Sequence, residues 1–199
     1  MKSIVAFISV TLVILMTAAC GGEKSCNDGK RSYAVYAEFA HDSNVVMKNG
    51  LNRRVFNTTE AQEGKDITLE KDGSITLQKG TYRITGFSLV TMQDVMAAPV
   101  YPADSQNYPG YCILYPKKYE SNMGEVLKNN ICIGSLGIAL NSTASLVDVY
   151  YKCDETTSIC LGHQVGDDLK NTIFLSVYEI DGTKSDYHMF ARVAIEKIE

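Results

Sequence analysis

The sequence has no run of about 20 apolar residues of the kind that spans a bilayer as a helix. Its one long apolar stretch covers only residues 4–16. It has no cluster of lysine and arginine, and its formal charge at pH 7 is −4. Binding to nucleic acid, which depends on a cationic footprint, is therefore not expected. It has three histidines, His41, His163 and His188, far apart, and no Cys-x-x-Cys spacing. That leaves a zinc ion without a ligand set, and no motif asks for a cofactor. Prolines are few, and all four (Pro99, Pro102, Pro109, Pro116) lie between residues 99 and 116. What is present is ordinary for a globular chain: 45% hydrophobic and 21% charged residues exclude wholesale disorder.

The N-terminus has three parts. Lys2 supplies a positive charge, residues 4–16 form the apolar stretch, and Thr17-Ala18-Ala19 provides small residues directly before Cys20. The stretch is too short for a spanning helix and has the layout of an export signal. The order resembles the lipobox of bacterial lipoproteins, with Thr17 where that pattern usually has Leu, Val or Ile. The resemblance implies cleavage after residue 19, a thioether-linked diacylglycerol and a third acyl chain on Cys20, and anchoring to the cell envelope. One acyl chain binds a membrane marginally, whereas three hold durably. Gly21, rather than Asp, follows Cys20, which by the sorting rule of enteric bacteria implies the outer membrane. An ordinary secretory signal with a coincidental cysteine is the alternative, and it too exports the chain. Cleavage leaves residues 20–199, moves the charge from −4 to −5 by removing Lys2, and suits a single domain. Residues 20–32 are expected to be a lipidated tether and residues 33–199 a β-sandwich domain.

Five further cysteines follow Cys20. In an oxidising compartment disulfides are the default. Cys153 and Cys160 flank a hairpin-length segment, residues 154–159, and are the first expected pair. Cys112 with Cys132 is the second. Cys26 is left over: free, linking two chains, or displacing one of these pairs.

From Tyr33 the pattern is mostly that of strands. Residues 33–40 alternate with a period of two. Residues 66–70 and 74–78 flank Lys71-Asp72-Gly73, a hairpin signature. Further strands are expected at residues 81–91, 111–115, 132–140, 146–152, 173–179 and 188–198, with one brief helix at 123–128. Nine or ten short strands and almost no helical period indicate an all-β, antiparallel sandwich. The proline-rich stretch is expected to be a loop or edge-strand insertion spanning residues 99–131. It also concentrates Tyr101, Tyr108, Tyr111, Tyr115 and Tyr119. Tyrosine rings with a polar tip suit sugars and protein interfaces, so these five are the candidate ligand-binding residues.

The segment 75–86 places Leu77, Gly80, Tyr82 and Ile84 in the order x-L-x-x-G-x-Y-x-I. This resembles a signature of jelly-roll domains similar to tumour necrosis factor and the globular heads of complement. The closing strand, residues 190–198, is similar to the inner C-terminal strand of that family. The resemblance implies a jelly roll, a homotrimer, and partners that are proteins or surfaces. Whichever sandwich forms, Ile75, Leu77, Tyr82 and Ile84 are expected in the core.

Catalytic patterns are weak. Around Ser135 the sequence Ile133-Gly134-Ser135-Leu136-Gly137 lacks the glycine two before the serine that a nucleophile elbow needs, and a buried glycine-rich strand accounts for it better. His41-Asp42 are adjacent and would point to opposite faces of a strand. Asp154-Glu155 and Asp167-Asp168 lack an EF-hand pattern. The leading expectation is a non-enzymatic binding or structural module of the envelope. A sugar-binding lipoprotein using the 101–119 tyrosines is the second, and a lipid-anchored hydrolase the third. A protein binder should expose an apolar face on several strands and a sugar binder tyrosines in a groove. A hydrolase should hold a histidine beside a nucleophile.

Overall fold

A computed structural model describes residues 31–40, 50–91, 109–138, 144–165, 174–175 and 188–199. They belong to the compact unit Arg31–Glu199. Twelve strands occur among them: β1 (Tyr33–Ala40), β2 (Gly50–Arg53), β3 (Thr58–Glu63), β4 (Ile67–Leu69), β5 (Ile75–Leu77), β6 (Gly80–Thr91), β7 (Pro109–Pro116), β8 (Cys132–Ile138), β9 (Ala144–Cys153), β10 (Thr157–Val165), β11 (Phe174–Leu175) and β12 (His188–Lys197). One helix, α1 (Met123–Lys128), follows a 3-10 turn at Lys117–Tyr119.

The strands form two six-stranded sheets. In the first, β3, β1, β12, β6 and β9 lie side by side, with β11 also on β6. In the second, β4 pairs with β5, β5 and β2 pair with one edge of β10, whose other edge pairs with β7, and β7 pairs with β8. All the pairings are antiparallel. Among the described strands only β4–β5, β7–β8 and β11–β12 are successive strands of one sheet; every other connection crosses to the opposite sheet, and the first and last strands lie side by side. This is a jelly-roll β-sandwich.

Alternation fills the space between the sheets. On β6, Tyr82 and Ile84 are both fully buried while Arg83 between them is exposed. Ile75 and Leu77, Ala34 and Tyr36, and Val193 and Ile195 meet them in one core. The Tyr82 hydroxyl donates to the Gln78 carbonyl at 2.8 Å, so its polar end is satisfied inside. Gly80 opens β6 where a Cβ would lie 2.6 Å from the Glu199 carbonyl oxygen, so only glycine fits the corner. On its outer face the second sheet carries a smaller cluster in which Ile113, Tyr115 and Cys160 pack under Val126 of α1.

Several expectations change. β7 is an interior strand between β10 and β8; Pro109 and Pro116 stand at its two ends, so the ladder between them keeps its donors. The 99–131 insertion is thus a core strand followed by α1, and residues 99–108 lie outside the described part. β10 begins at Thr157, so the turn after β9 is only residues 154–156. β3 was not foreseen, because Thr58–Glu63 reads TTEAQE and has no apolar alternation. Ser32, expected in the tether, belongs to the fold: it is 1% exposed, its hydroxyl donates to the Glu63 carbonyl and its own carbonyl accepts from the Lys197 amide. The segment 133–137 is a strand, but at the edge of its sheet, with Leu136 70% exposed.

Neither expected disulfide forms; Cys112, Cys132, Cys153 and Cys160 are free thiols. Cys153 faces the core between the sheets, with Ile159 and Leu161. Cys160, between those two on β10, points to the opposite face under α1. Alternation therefore separates the pair. Across the β7–β8 ladder Cys132 faces Leu114, not Cys112. The Cys112 sulfur fills the space left by the missing side chain of Gly134 and contacts the Ser145 hydroxyl at 3.2 Å. Burial pushes the Cys160 thiol up to about 12 and the Cys112 thiol upward, so both are poor nucleophiles. Peptide mapping without reduction should therefore recover no Cys153–Cys160 or Cys112–Cys132 cross-link, and Cys132 should alkylate before Cys112, Cys153 and Cys160 in the native protein. A linked 153–160 peptide would contradict this placement.

Candidate functional site

Three features stand out from a plain apolar sandwich: a polar cluster inside it, an apolar stripe along one side, and a tyrosine-lined groove at one end.

The interior cluster arises where core-facing positions turn polar. Glu38 continues the inward series of Ala34 and Tyr36 on β1. Ser88 continues that of Tyr82 and Ile84 on β6, and His163 that of Ile159 and Leu161 on β10. Arg54, between β2 and β3, enters the space between them and is fully buried. Its Nε donates to Ser88 Oγ at 2.8 Å, and its Nη2 donates to the Leu89 carbonyl. Its Nη1 lies 3.6 Å from Glu38 Oε2. Ser88 Oγ is also 2.8 Å from His163 Nδ1. Inside the sandwich His163 is a neutral imidazole, and its Nε2 has no hydrogen-bond partner among the described residues. Burial and the Arg54 charge lower its pKa to about 3. Burial lowers Arg54 to about 10 and raises Glu38.

This places a histidine beside a serine, the arrangement a hydrolase requires. Ser88 and His163 are both fully buried, however, and Glu38 touches Arg54 rather than the imidazole. A neutral histidine held under an arginine, out of contact with solvent, has no route to a substrate. The cluster ties the two sheets together.

The stripe lies where β8 and β9, the facing edges of the two sheets, come together. Leu146 N donates to Ser135 Oγ at 2.9 Å, and a Cβ on Gly134 would lie 2.7 Å from the Leu146 carbonyl oxygen. Along this side Ile133 is 49%, Leu136 70%, Leu146 56% and Tyr150 66% exposed. Four large apolar side chains are thus exposed on two neighbouring strands.

The groove, about 480 Å³, runs between the 3-10 turn, the segment after α1, and the β9–β10 turn. Tyr119, Tyr151, Asn129, Asn130, Asp154 and Thr157 line it. Tyr119 packs from behind on the cluster under α1 and Tyr151 on the main core. The Tyr151 hydroxyl, whose pKa burial raises, is hydrogen-bonded to the Thr157 side chain. The Lys118 ammonium sits 5.2 Å from the centre of the Tyr119 ring.

Of the five tyrosines singled out in the sequence, Tyr101 and Tyr108 lie outside the described residues. Tyr115 is fully buried, because alternation on β7 turns it under α1 with Ile113. It is a core residue and not a ligand contact. Tyr111 packs partly buried on the same cluster. Among the described ones, Tyr119 lines the groove, and its companion there, Tyr151, was missed. Consecutive tyrosines at 150 and 151 were a usable signal, since on a strand one must face away from the other. Cys20, His41 and the 167–168 acidic pair lie outside the described residues. Among the described residues no group of three His, Cys, Asp or Glu is placed to hold a metal ion.

No protein-family model and no curated protein sequence matches the chain. Solved structures match in fold. Murine APRIL at pH 8.0 is 6% identical with a TM-score of 0.44, over 85% of this chain and 100% of that chain. The globular domain of a zebrafish complement 1qA protein is 9% identical with a TM-score of 0.49, over 85% of this chain and 98% of that chain.

The buried imidazole sets an acid limit. Its folded pKa lies below the usual value of 6.5, so its contribution is fully present above pH 6.5 and is lost as the pH falls from there towards about 3. In that window the unfolded chain takes up the proton and the folded chain does not, which costs about 1.4 kcal/mol per pH unit. Thermal melting of the wild type and of His163→Gln between pH 7.5 and 4.5 checks this. The stability difference between them should shrink at that slope below pH 6.5, and a constant difference would mean that His163 does not titrate on unfolding.

Proposed function

We propose that this chain is a lipid-anchored, non-enzymatic binding module of the cell envelope that assembles with copies of itself, three to an assembly. The observation that supports it is the apolar stripe of Ile133, Leu136, Leu146 and Tyr150. A folded sandwich with an adequate core has no internal use for four large apolar groups in solvent. Joining copies along this side would remove them from water, at about 25 cal/mol per Å² buried. A trimer would carry three anchors and three copies of every other surface, so weak contacts with the envelope would add by avidity. Export on residues 1–19, acylation of Cys20 and retention at the outer membrane complete the reading. The partner is then a component of the envelope or of a neighbouring surface.

Light scattering on residues 27–199, which retain the compact unit without the anchor, tests the assembly. The expected mass is three times that of the chain, and Leu136→Glu with Leu146→Glu should reduce it to one. A wild-type monomer would sink the assembly and leave the stripe for a different protein. Metabolic labelling with radioactive palmitate tests the anchor. The full chain should incorporate label and fractionate with membranes, while Cys20→Ala should do neither. Label on Cys20→Ala would place acylation elsewhere.

A further inference from the structure

We infer that the groove between the 3-10 turn and the β9–β10 turn is a binding site for a neutral oligosaccharide. The inference rests on the chain being a binding module, but not on its assembly or its anchor.

The lining favours this ligand class for three reasons. First, Tyr119 and Tyr151 are half-buried rings fixed from behind by separate apolar clusters. Little side-chain freedom is left to lose when the flat C–H face of a sugar stacks on them. Second, the groove offers acceptors. Asn129 spends both amide hydrogens on the backbone carbonyl and the side chain of Glu125, at 3.0 Å each. Asn130 donates to the Leu127 carbonyl at 2.7 Å. Each amide therefore keeps a carbonyl oxygen with no hydrogen bond among the described residues, beside the exposed carboxylate of Asp154. A row of oriented acceptors suits ring hydroxyls, which are donors.

Third, the charges balance. Lys118 and Lys152 line the groove together with Asp154 and Glu155. Lys117, in the adjoining depression that shares Pro116, Lys118, Glu155 and Thr157, is held by Asp72. Asp72 in turn is drawn well below the usual carboxylate range by Lys117. With two cations and two carboxylates, the lining carries no net positive charge to select a phosphate, a sulfate or a uronic acid. A flat, open trough floored by aromatic rings and rimmed by amides fits a short stretch of neutral sugar chain.

The test uses the full-length chain purified in a detergent without a sugar headgroup. Cellotetraose, maltotetraose and chitotetraose are the neutral probes and tetragalacturonate the acidic one. Binding is detected by saturation-transfer NMR and quantified by calorimetry. At least one neutral tetrasaccharide should bind more tightly than the acidic one. Tyr119→Ala and Asn130→Ala should each weaken it about tenfold, equivalent to about 1.4 kcal/mol. Tyr119→Phe, which keeps the ring and has little reason to disturb the fold, should retain binding within about threefold. Tyr150→Ala, on the opposite face of β9, should leave sugar binding unchanged while its mass in solution reports on assembly. Failure of the trimer and failure of the sugar site are therefore read separately. The inference is overturned if none of the neutral probes binds the wild type, if the acidic probe binds better, or if Tyr119→Ala and Asn130→Ala bind as well as the wild type.

Discussion

A buried guanidinium holds the two layers of this sandwich in register at one end. The Arg54 amide donates to the Leu161 carbonyl on β10, in the second sheet. Its side chain reaches Ser88 and Leu89 on β6 and Glu38 on β1, in the first sheet. Ser88 then returns to the second sheet through His163. Apolar packing alone gives little reason for one strand to stop at a given depth against another. Directional bonds to a fixed planar fork do. Such a cluster adds little net stability compared with apolar side chains of the same volume, but removing one member strands a buried charge and is costly. Its residues are thus better understood as fixing one arrangement of the sheets than as a store of free energy, and the neutral His163 is part of that arrangement rather than of a reaction.

Much of the sandwich was legible in the sequence, and the reason is the period of two. The 33–40 alternation, the Asp72-Gly73 hairpin and the Leu77–Gly80–Tyr82–Ile84 series each state locally what the fold repeats globally. β3 and β10 were illegible for different reasons. β3 lies at a sheet edge, where a polar TTEAQE sequence is tolerated because the partner strand supplies the order. β10 has Ile159, Cys160 and Leu161 buried in succession, since both faces of its sheet are covered there. An apolar run without alternation beside a cysteine resembled a loop closed by a bridge. The disulfide expectation failed at the same place, because a spacing in sequence says nothing about which face of a strand each thiol occupies.

The candidate surfaces were only partly legible, because aromatic residues serve cores and ligands alike. Five tyrosines within residues 101–119 pointed to a binding loop, yet Tyr115 is wholly internal and Tyr111 mostly so. What separates Tyr119 from Tyr115 is its position past the end of β7, in the 3-10 turn. That distinction depends on where β7 ends, and the boundary is set by Pro116 and by pairing with β8 and β10 rather than by the tyrosines themselves.

β9 links the two outer surfaces. It is an edge strand of the first sheet, so one of its faces meets solvent along its length while the other faces the core until the layers part. Leu146 and Tyr150 share the outward face with Asp148 and Lys152, and Arg83 reaches across from β6 to pair with Asp148 and to lie 6.0 Å from the centre of the Tyr150 ring. Tyr151 takes the inward face, but so near the end of the strand that its ring lies at the mouth of the sandwich, beside Tyr119. A single-residue shift of register on β9 would exchange the two faces. It would bury Tyr150 and Leu146 and expel Ser145, Val147 and Tyr151. The ten-residue ladder of β9 with β6 opposes that slip, from Gly80 facing Cys153 to Leu89 facing Ala144. At its far end Ser145 adds a second lock, donating to the Ser135 carbonyl and accepting from the Cys112 amide across the gap between the sheets. The same pairing that completes the first sheet thus decides which side chains are offered to another copy and which to a ligand.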